Sequence, residues 1–408
     1  MDIFKPADIL IPKTDLHKWS VIACDQFTSE PEYWRSVRDE VGTAPSALNI
    51  ILPEAELGGA DMKAKCAGIW SCMSEYLNGG IFDVYPDSFI CLERTLPDGS
   101  IRRGIVGAFD LDTYDWAPDA ETPIRATEGT VAERLPARVE IRSGAPLESP
   151  HIMMFMDDKS DTVFSSVSKG ELVYDFPLML GGGSIKGWRV ADNAALLAAV
   201  DSLGDEELLK SKYGTAADPV IFATGDGNHS LAAAKSHWDN LKKTLTDSER
   251  ATHPARYALA ELVNIHDDAI RFEAIHKVIF KTDPAQFISD AEKFFAPYSG
   301  EGREITLMSP KGDKTLSIAG LTIGELIGRC EDFCRGYIAS HGGYIDYVHG
   351  EDECASMSHG SDSAGIMLPR MDKSELFASV IKSGPFPRKS FSIGHGRDKR
   401  YYLECRRI

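Results

Sequence analysis

Residues 219–230 read Pro-Val-Ile-Phe-Ala-Thr-Gly-Asp-Gly-Asn-His-Ser and lead into an alanine-rich segment that ends near Leu241. The apolar run at 219–223 follows a polar segment and is short, which is typical of a buried strand. The glycines and the asparagine predict a tight turn after it, and residues 231–241 have the composition of a helix. The segment therefore predicts a strand, a turn and a helix in direct succession.

The turn places polar side chains where a helix begins, a position that suits an anion. The first N–H groups of a helix have no intrahelical acceptor, and the helix dipole adds positive potential there. Asp226 can hold Mg²⁺ or a substrate amine. An ordinary tight turn with Ser230 as the helix cap is the alternative. The turn residues that can contact a phosphate are Gly225, Gly227, Asn228, His229 and Ser230.

A second polar segment, Arg125-Ala-Thr-Glu-Gly-Thr130, combines a cation, a carboxylate and two hydroxyls. Guanidinium groups bind phosphate oxygens through paired hydrogen bonds, and a carboxylate such as Glu128 can accept the proton of a reacting hydroxyl. The alternative is a surface helix whose arginines form ion pairs, and the sequence leaves both open. The candidates from this region are Arg125, Glu128, Thr130 and Arg134.

Three other positions are weaker candidates. Asp25 follows the apolar residues 20–24, which predict a short strand, and it is either a catalytic carboxylate or a helix cap. Lys389 is a candidate phosphate-binding cation near the C-terminus. The glycine-rich residues 181–187 lack the Gly-Lys-Ser/Thr ending of a phosphate loop, so they are interpreted as a mobile lid or linker.

The length of 408 residues, 43% of them apolar, predicts more than one lobe. Predicted strands and helices alternate, which favours a mixed α/β (α+β) fold. A polar segment at 244–254 suggests an N-terminal lobe of residues 1–250 and a C-terminal α/β lobe of residues 251–408. Periodicity further predicts a strand pair at 88–94 and 103–111 and helices at 31–40, 61–78, 192–203, 323–340 and 373–382.

The net charge of −18 disfavours duplex nucleic acid as a partner, since binding depends on neutralising phosphates. No run of about 18 apolar residues is present, so a membrane role is not expected. The eight cysteines lie mostly in apolar or helical segments, which indicates reduced thiols and a cytoplasmic location. A small-molecule substrate is the expected partner, and a homodimer is left open.

The sequence resembles the bacterial domain-of-unknown-function family 1015, in which a strand is followed by Asp-Gly-His-His-Arg opening an alanine-rich helix. Asp226-Gly-Asn-His-Ser230 stands in that place. The turn is also similar to the phosphate-binding turn of the ParB/sulfiredoxin fold, which implies a core of that fold in the N-terminal lobe. Other family-like segments are 21–25, 125–130, Ser149-Pro-His-Ile-Met153, 274–277 and 387–390.

Two departures from these patterns bear on the chemistry. Asn228 stands where sulfiredoxin-type turns carry the reactive cysteine, so that redox activity is not expected. Ser230 stands where the hallmark arginine would contact phosphate, so another cation must replace it; Lys235, Arg125 and Lys389 are the candidates.

The resemblance implies phosphate handling. The leading hypothesis is a Mg²⁺-dependent kinase that phosphorylates a small hydroxylated metabolite, with free L-serine as the first choice and ATP, ADP or pyrophosphate as donor. Asp226 would hold the metal or the substrate, His229 and Ser230 would bind phosphate, Glu128 or Asp25 would accept the hydroxyl proton, and Arg125 would stabilise the transferred charge. A nucleotide-binding regulatory protein without turnover is the alternative.

Overall fold

The computed structural model describes residues 2–57 and 61–408 and divides into two compact units. Unit 1 contains residues 1–126, 130–270 and 395–408, and unit 2 contains residues 127–129 and 271–394. The fold is mixed α/β, as predicted. Its units differ from the expected lobes at 1–250 and 251–408, because the strand at 257–264 and the last residues of the chain belong to unit 1.

The helices are α1 Leu16–Trp19, α2 Pro31–Val41, α3 Met62–Asn78, α4 Leu135–Ser143, α5 Thr162–Ser166, α6 Asn193–Ser202, α7 Glu206–Tyr213, α8 Asn228–Leu241, α9 Asp247–Thr252, α10 Pro284–Phe295, α11 Ile323–His341, α12 Glu351–Ser358 and α13 Glu375–Ser383. The strands are β1 Phe4–Lys5, β2 Ala7–Pro12, β3 Phe82–Ser88, β4 Ile90–Thr95, β5 Ile101–Asp110, β6 Tyr114–Asp115, β7 Ile124–Ala126, β8 Leu147–Glu148, β9 Met153–Met156, β10 Lys169–Pro177, β11 Ser184–Val190, β12 Phe222–Asp226, β13 Tyr257–Asn264, β14 Phe272–Phe280, β15 Ser299–Met308, β16 Lys314–Ile318, β17 Tyr344–His349, β18 Ser363–Met367, β19 Phe391–Ile393 and β20 Arg406–Arg407.

A ten-stranded mixed sheet organises unit 1. Nine strands follow the order β10-β11-β4-β5-β13-β9-β12-β7-β6, and β1 pairs with β5. Strand β12 is antiparallel to β9 and parallel to β7, so it is covered on both edges. Its residues from Phe222 to Gly225 are buried, as expected for a strand paired on both sides. This strand carries the turn at 225–230.

Helix α8 follows β12 and packs against α4. Leu135 of α4 contacts Ala232 and Ala233 of α8 in a small apolar cluster. Alanine side chains allow two helices to approach closely, so the alanine-rich composition of α8 serves this packing. The helix also buries Leu231 and Trp238 against the sheet core. The beginning of α8 is therefore held in a defined place beside β9 and β12.

Unit 2 is built on a six-stranded sheet. Five of its strands follow the order β16-β15-β18-β14-β17, and β19 pairs with β14. The described pairings in this sheet are antiparallel. Helix α11 begins with a capping box in which Thr322 and Glu325 bond reciprocally to the backbone, as is typical of a strong helix start.

Several predicted elements agree with the structure and two do not. The strand pair β4 and β5 and the helices α2, α3, α6, α11 and α13 lie within three residues of their predicted limits. The predicted strand at 20–24 is reduced to a single bridge between Ile22 and Tyr401. The glycine-rich segment is not a free lid, because residues 184–190 form β11 inside the sheet. Strand β12 begins and ends three residues later than predicted.

The sheet of unit 1 contains a buried ionic cluster. Arg400 forms ion pairs with Glu261 and Glu404, and Arg102 Nε lies 3.4 Å from Glu261 Oε1. These side chains are almost fully buried, and Tyr174 donates a hydrogen bond to Glu404. Burial raises the pKa of Glu261, but the charges of Arg102 and Arg400 outweigh it and hold that pKa below its ordinary value. The cluster therefore ties the C-terminal segment to β13.

The eight cysteines are all free thiols. Across residues 2–57 and 61–408, no helix combines the length and the apolar character that crossing a bilayer requires.

Candidate functional site

The turn after β12 is shaped by two glycines with different roles. Gly227 is the N-cap of α8 and has a φ of +79°, a backbone conformation that glycine adopts without strain. A Cβ at this position would lie 3.1 Å from Cγ1 of Ile152 and 3.5 Å from Nε2 of His151. Gly225 lies within β12, and a Cβ there would lie 2.7 Å from the ring of Phe155. Gly227 permits the backbone conformation of the turn, and Gly225 leaves space for the ring of Phe155.

The start of α8 has no side-chain cap. Gly227 supplies none, and the first turn contains no acidic residue. Ser230 is the third residue of the helix, so the alternative in which Ser230 caps it is wrong. The N–H groups of the first turn therefore have no capping side chain as acceptor and can donate to an anion.

Asp226 lies at the end of β12 and is the charged residue of the turn. Its Oδ1 accepts a hydrogen bond from the Gly227 N–H at 2.9 Å. Its Oδ2 lies 3.5 Å from Nζ of Lys399, and the two side chains are 14% and 12% exposed. Lys399 was not predicted from the sequence, because it comes from the C-terminal segment of unit 1. It supplies a cation beside Asp226.

Three buried oxygens at this site have no hydrogen-bond partner among the described residues. They are Oγ1 of Thr130, Oδ2 of Asp226 and Oδ1 of Asn228. Buried polar atoms are satisfied in the great majority of cases, so a group of exceptions indicates that water, an ion or a ligand completes them. Thr130 belongs here because the next residue, Val131, donates its N–H to Nε2 of His229 at 3.2 Å.

Two histidines flank the turn, and their hydrogen bonds define their tautomers. Because Nε2 of His229 accepts from Val131, we assign the ring proton of neutral His229 to Nδ1. The hydroxyl of Tyr402 accepts from the N–H of Cys24 at 3.4 Å and lies 2.8 Å from Nδ1 of His151. We therefore assign that hydroxyl as donor to Nδ1, which places the proton of His151 on Nε2, the atom nearest Gly227.

His151 was missed as a site residue by sequence reasoning, although the segment Ser149-Pro-His-Ile-Met153 stood out as family-like. It is 4% exposed. Asp25 follows Cys24, and its carboxylate accepts a hydrogen bond from Nε2 of Gln26 at 3.1 Å. It does not cap a helix, since α2 begins at Pro31 with Glu30 as N-cap. Burial raises the pKa of the Cys24 thiol to about 12, and the charge of Asp25 adds to this effect.

The arginines of the segment 125–142 have partners in the protein. Arg125 is 7% exposed and donates to the carbonyl oxygens of Thr122 at 2.9 Å and Asp218 at 2.6 Å. Arg134 and Arg138 lie 3.5 and 3.0 Å from Oε1 of Glu54. These contacts favour the ion-pair alternative for this segment over a cluster of phosphate-binding cations.

Glu128 and Lys389 belong to unit 2. Oε1 of Glu128 accepts a hydrogen bond from the N–H of Ser390 at 3.3 Å. Nζ of Lys389 lies 4.7 Å from the centre of the Tyr347 ring, a cation–π contact. Their participation in a site with the turn at 225–230 stays a prediction.

The residues present fit a magnesium ion in part. Mg²⁺ prefers oxygen ligands, retains several waters, and commonly uses one or two protein carboxylates together with phosphate oxygens. Oδ2 of Asp226 and Oδ1 of Asn228 are oxygens of this kind. In the described ranges, no group of three or more His, Cys, Asp or Glu side chains is arranged to hold a metal. The ion would therefore depend on these two oxygens and on a phosphate ligand.

The chain belongs to the family described as "Protein of unknown function (DUF1015)", whose model matches residues 4–359. This membership confirms the resemblance to the domain-of-unknown-function family 1015, and the similarity of the turn to that of the ParB/sulfiredoxin fold stays a prediction. A comparison with curated proteins returned no match.

Solved structures with a distant likeness include three proteins. A free serine kinase in complex with AMP is 12% identical with a TM-score of 0.37, covering 72% of this chain and 90% of that chain. A conserved hypothetical protein from Pyrococcus furiosus is 11% identical with a TM-score of 0.35, covering 72% and 93%. SbnI with a C-terminal truncation from Staphylococcus aureus is 9% identical with a TM-score of 0.33, covering 71% and 83%.

Proposed function

We propose that the chain is a phosphotransferase that transfers a phosphoryl group to a small hydroxylated metabolite at the turn 225–230. The observation that carries this proposal is a group of three buried oxygens without a hydrogen-bond partner among the described residues, of Thr130, Asp226 and Asn228, beside an uncapped helix start. The Asp226 oxygen also lies 3.5 Å from the Lys399 ammonium. Phosphoryl transfer depends mainly on positioning and on charge stabilisation, which are the functions such a site supplies.

The backbone N–H groups of the first turn of α8, with Ser230 and the proton-bearing nitrogens of the histidines, bind the phosphate oxygens. Lys399 takes the role of the cation, because the guanidinium of Arg125 is engaged by two carbonyl oxygens. Asp226 and Asn228 would hold Mg²⁺, which would supply neutralisation of phosphate charge.

The proposed reaction is a group transfer and needs no oxidant or reductant. The hydroxyl oxygen of the acceptor forms the new P–O bond, and the P–O bond to the leaving group of the donor breaks with its electron pair on that group. The hydroxyl proton passes to a carboxylate, for which Asp25 and Glu128 are the proposed acceptors. ATP, ADP and pyrophosphate are the donors to test, and free L-serine is the first acceptor.

The test is incubation of the protein and Mg²⁺ with each donor and a panel of amino acids and polyols, followed by ³¹P NMR. A new phosphate ester that requires both donor and acceptor would support the proposal, and its absence with Asp226→Ala would link it to the turn. Binding of a nucleotide without any product would favour the non-catalytic regulatory alternative. If the protein neither bound a donor nor formed a product, both would be rejected.

A further inference from the structure

A cavity of about 160 Å³ lies in unit 1 next to the turn. Ser230 and Ala233 of α8 form part of its wall, so the cavity begins where the helix begins. Most of the remaining wall is aliphatic. Representative side chains are Ile50, Leu52, Met73, Ile141 and Ile152.

The three charged residues in the wall, Arg138, Arg142 and Glu148, each have an ion-pair partner. Nη1 of Arg142 lies 2.7 Å from Oε2 of Glu148, which also pairs with Arg406 at 2.6 Å. Arg138 lies 3.0 Å from Glu54. Each carboxylate is shared by two arginines, since Glu54 also pairs with Arg134, so the wall has no negative charge left to attract a cation.

The other polar groups of the wall include the thiol of Cys24 and the hydroxyl of Tyr402. The thiol of Cys24 stays protonated because its pKa is raised to about 12, chiefly by burial. The hydroxyl of Tyr402 is engaged with His151 and Cys24. A ligand in this cavity therefore gains mainly from the removal of its apolar surface from water.

We infer that this cavity binds the apolar body of the phosphoryl acceptor, with the reacting hydroxyl directed toward Ser230 and the turn. The inference rests on the proposed function and narrows the acceptor to an alcohol without a positive charge, with a body about the size of a six-membered ring. A cavity of roughly 150 Å³ holds one benzene molecule. Free L-serine has no group that would fill this space, so the cavity argues for a larger and less polar acceptor.

The probes for this inference are inorganic phosphate, benzyl alcohol and benzyl phosphate, with binding measured by calorimetry. Benzyl phosphate has both a phosphate for the turn and a ring for the cavity. We expect it to bind roughly tenfold to a hundredfold more tightly than inorganic phosphate, because burial of a ring adds an apolar contribution. The ratio of the affinity for benzyl phosphate to the affinity for benzyl alcohol measures the contribution of the phosphate group, which is expected to bind at the turn.

Two variants that fill the cavity test the location. Ile51→Trp and Ala145→Leu each enlarge a partly exposed side chain in the wall. Each should remove most of the advantage of benzyl phosphate over inorganic phosphate. Leu48→Trp is the matched control, since Leu48 is partly exposed in the same segment but does not line the cavity. Thermal unfolding of the three variants shows whether each is folded.

The outcomes separate the two proposals. If benzyl phosphate bound no more tightly than inorganic phosphate, the cavity inference would be overturned and the proposed function would stand. If benzyl alcohol bound and no phosphate did, the cavity would be an apolar site but the phosphotransferase proposal would fail. If Ile51→Trp weakened AMP as strongly as benzyl phosphate, the cavity would hold the base of a nucleotide and not the acceptor.

Discussion

Nζ of Lys399 lies 3.5 Å from Oδ2 of Asp226, and both side chains are largely enclosed. The contact brings the C-terminal segment of unit 1 to the end of β12. Enclosure limits the screening of the two charges by water, so a phosphate bound at this turn would interact strongly with the ammonium group. Lys399 is therefore the cation on which the first prediction depends.

Lys399→Met should weaken the binding of pyrophosphate by about tenfold to a hundredfold, because it removes a charge-assisted hydrogen bond of roughly 1.5–3 kcal/mol. Calorimetric titration measures the change. Lys235→Met is the control, since Lys235 is similarly enclosed but pairs with Asp239 at 3.0 Å along α8. Equal losses in both variants would contradict a specific role for Lys399.

Asp226→Asn should remove the effect of Mg²⁺ on ADP binding, because it replaces the carboxylate that would contact the ion with a neutral amide. The measurement is the ADP affinity with and without Mg²⁺. Asp239→Asn, in helix α8, is the control and should keep the full difference. A Mg²⁺ effect that persists in Asp226→Asn would place the metal elsewhere.

Gly227→Ala should destabilise the protein by about 2–3 kcal/mol in urea unfolding. The substitution adds strain at a φ of +79° and brings a methyl group within 3.1 Å of Ile152. Gly214→Ala separates the two effects, because Gly214 has a φ of +75° with no heavy atom of the described residues within 4 Å of the added Cβ. It should cost only about 1 kcal/mol. Identical losses would show that the contact with Ile152 contributes nothing.

Glu261→Gln should cost about 3–5 kcal/mol of unfolding free energy, because it leaves Arg102 buried without its paired carboxylate and removes one of the two carboxylates that pair with Arg400. Chemical denaturation of both proteins measures it. The exposed Glu207, changed to Gln, should alter stability by less than about 0.5 kcal/mol. A loss of that small size at Glu261 would show that the buried cluster is not stabilised by its negative charges.

The pH dependence of stability should differ between wild type and Glu261→Gln. The pKa of Glu261 is lowered in the folded state, so its contribution is complete above the unfolded-state value of about 4.3. That contribution is lost as the pH falls through the lower folded-state pKa. The melting temperature of the wild type should therefore fall more steeply below about pH 4 than that of the variant. If the melting temperatures of the two proteins fell equally with pH, the lowered pKa of Glu261 would be contradicted.

Local pattern was sufficient to predict the helices α2, α3, α6, α11 and α13 and the strand–turn–helix at 219–241. Helix periodicity depends on neighbours within a few residues, so α2, α3, α6 and α11 follow from the sequence with only small errors at their ends. Glycine at position 227 also has a local cause, since the turn requires a positive φ. The sequence alone therefore predicted where the candidate site begins.

Only the tertiary structure decided which residues complete the candidate site. His151, Lys399 and Tyr402 come from segments far from the turn, and they reach it because β9 pairs with β12 and the C-terminal segment returns to unit 1. The same folding engaged Arg125 with the carbonyl oxygens of Thr122 and Asp218. Pairing of strands and burial of charge involve partners at any separation in the chain, so no local pattern records them.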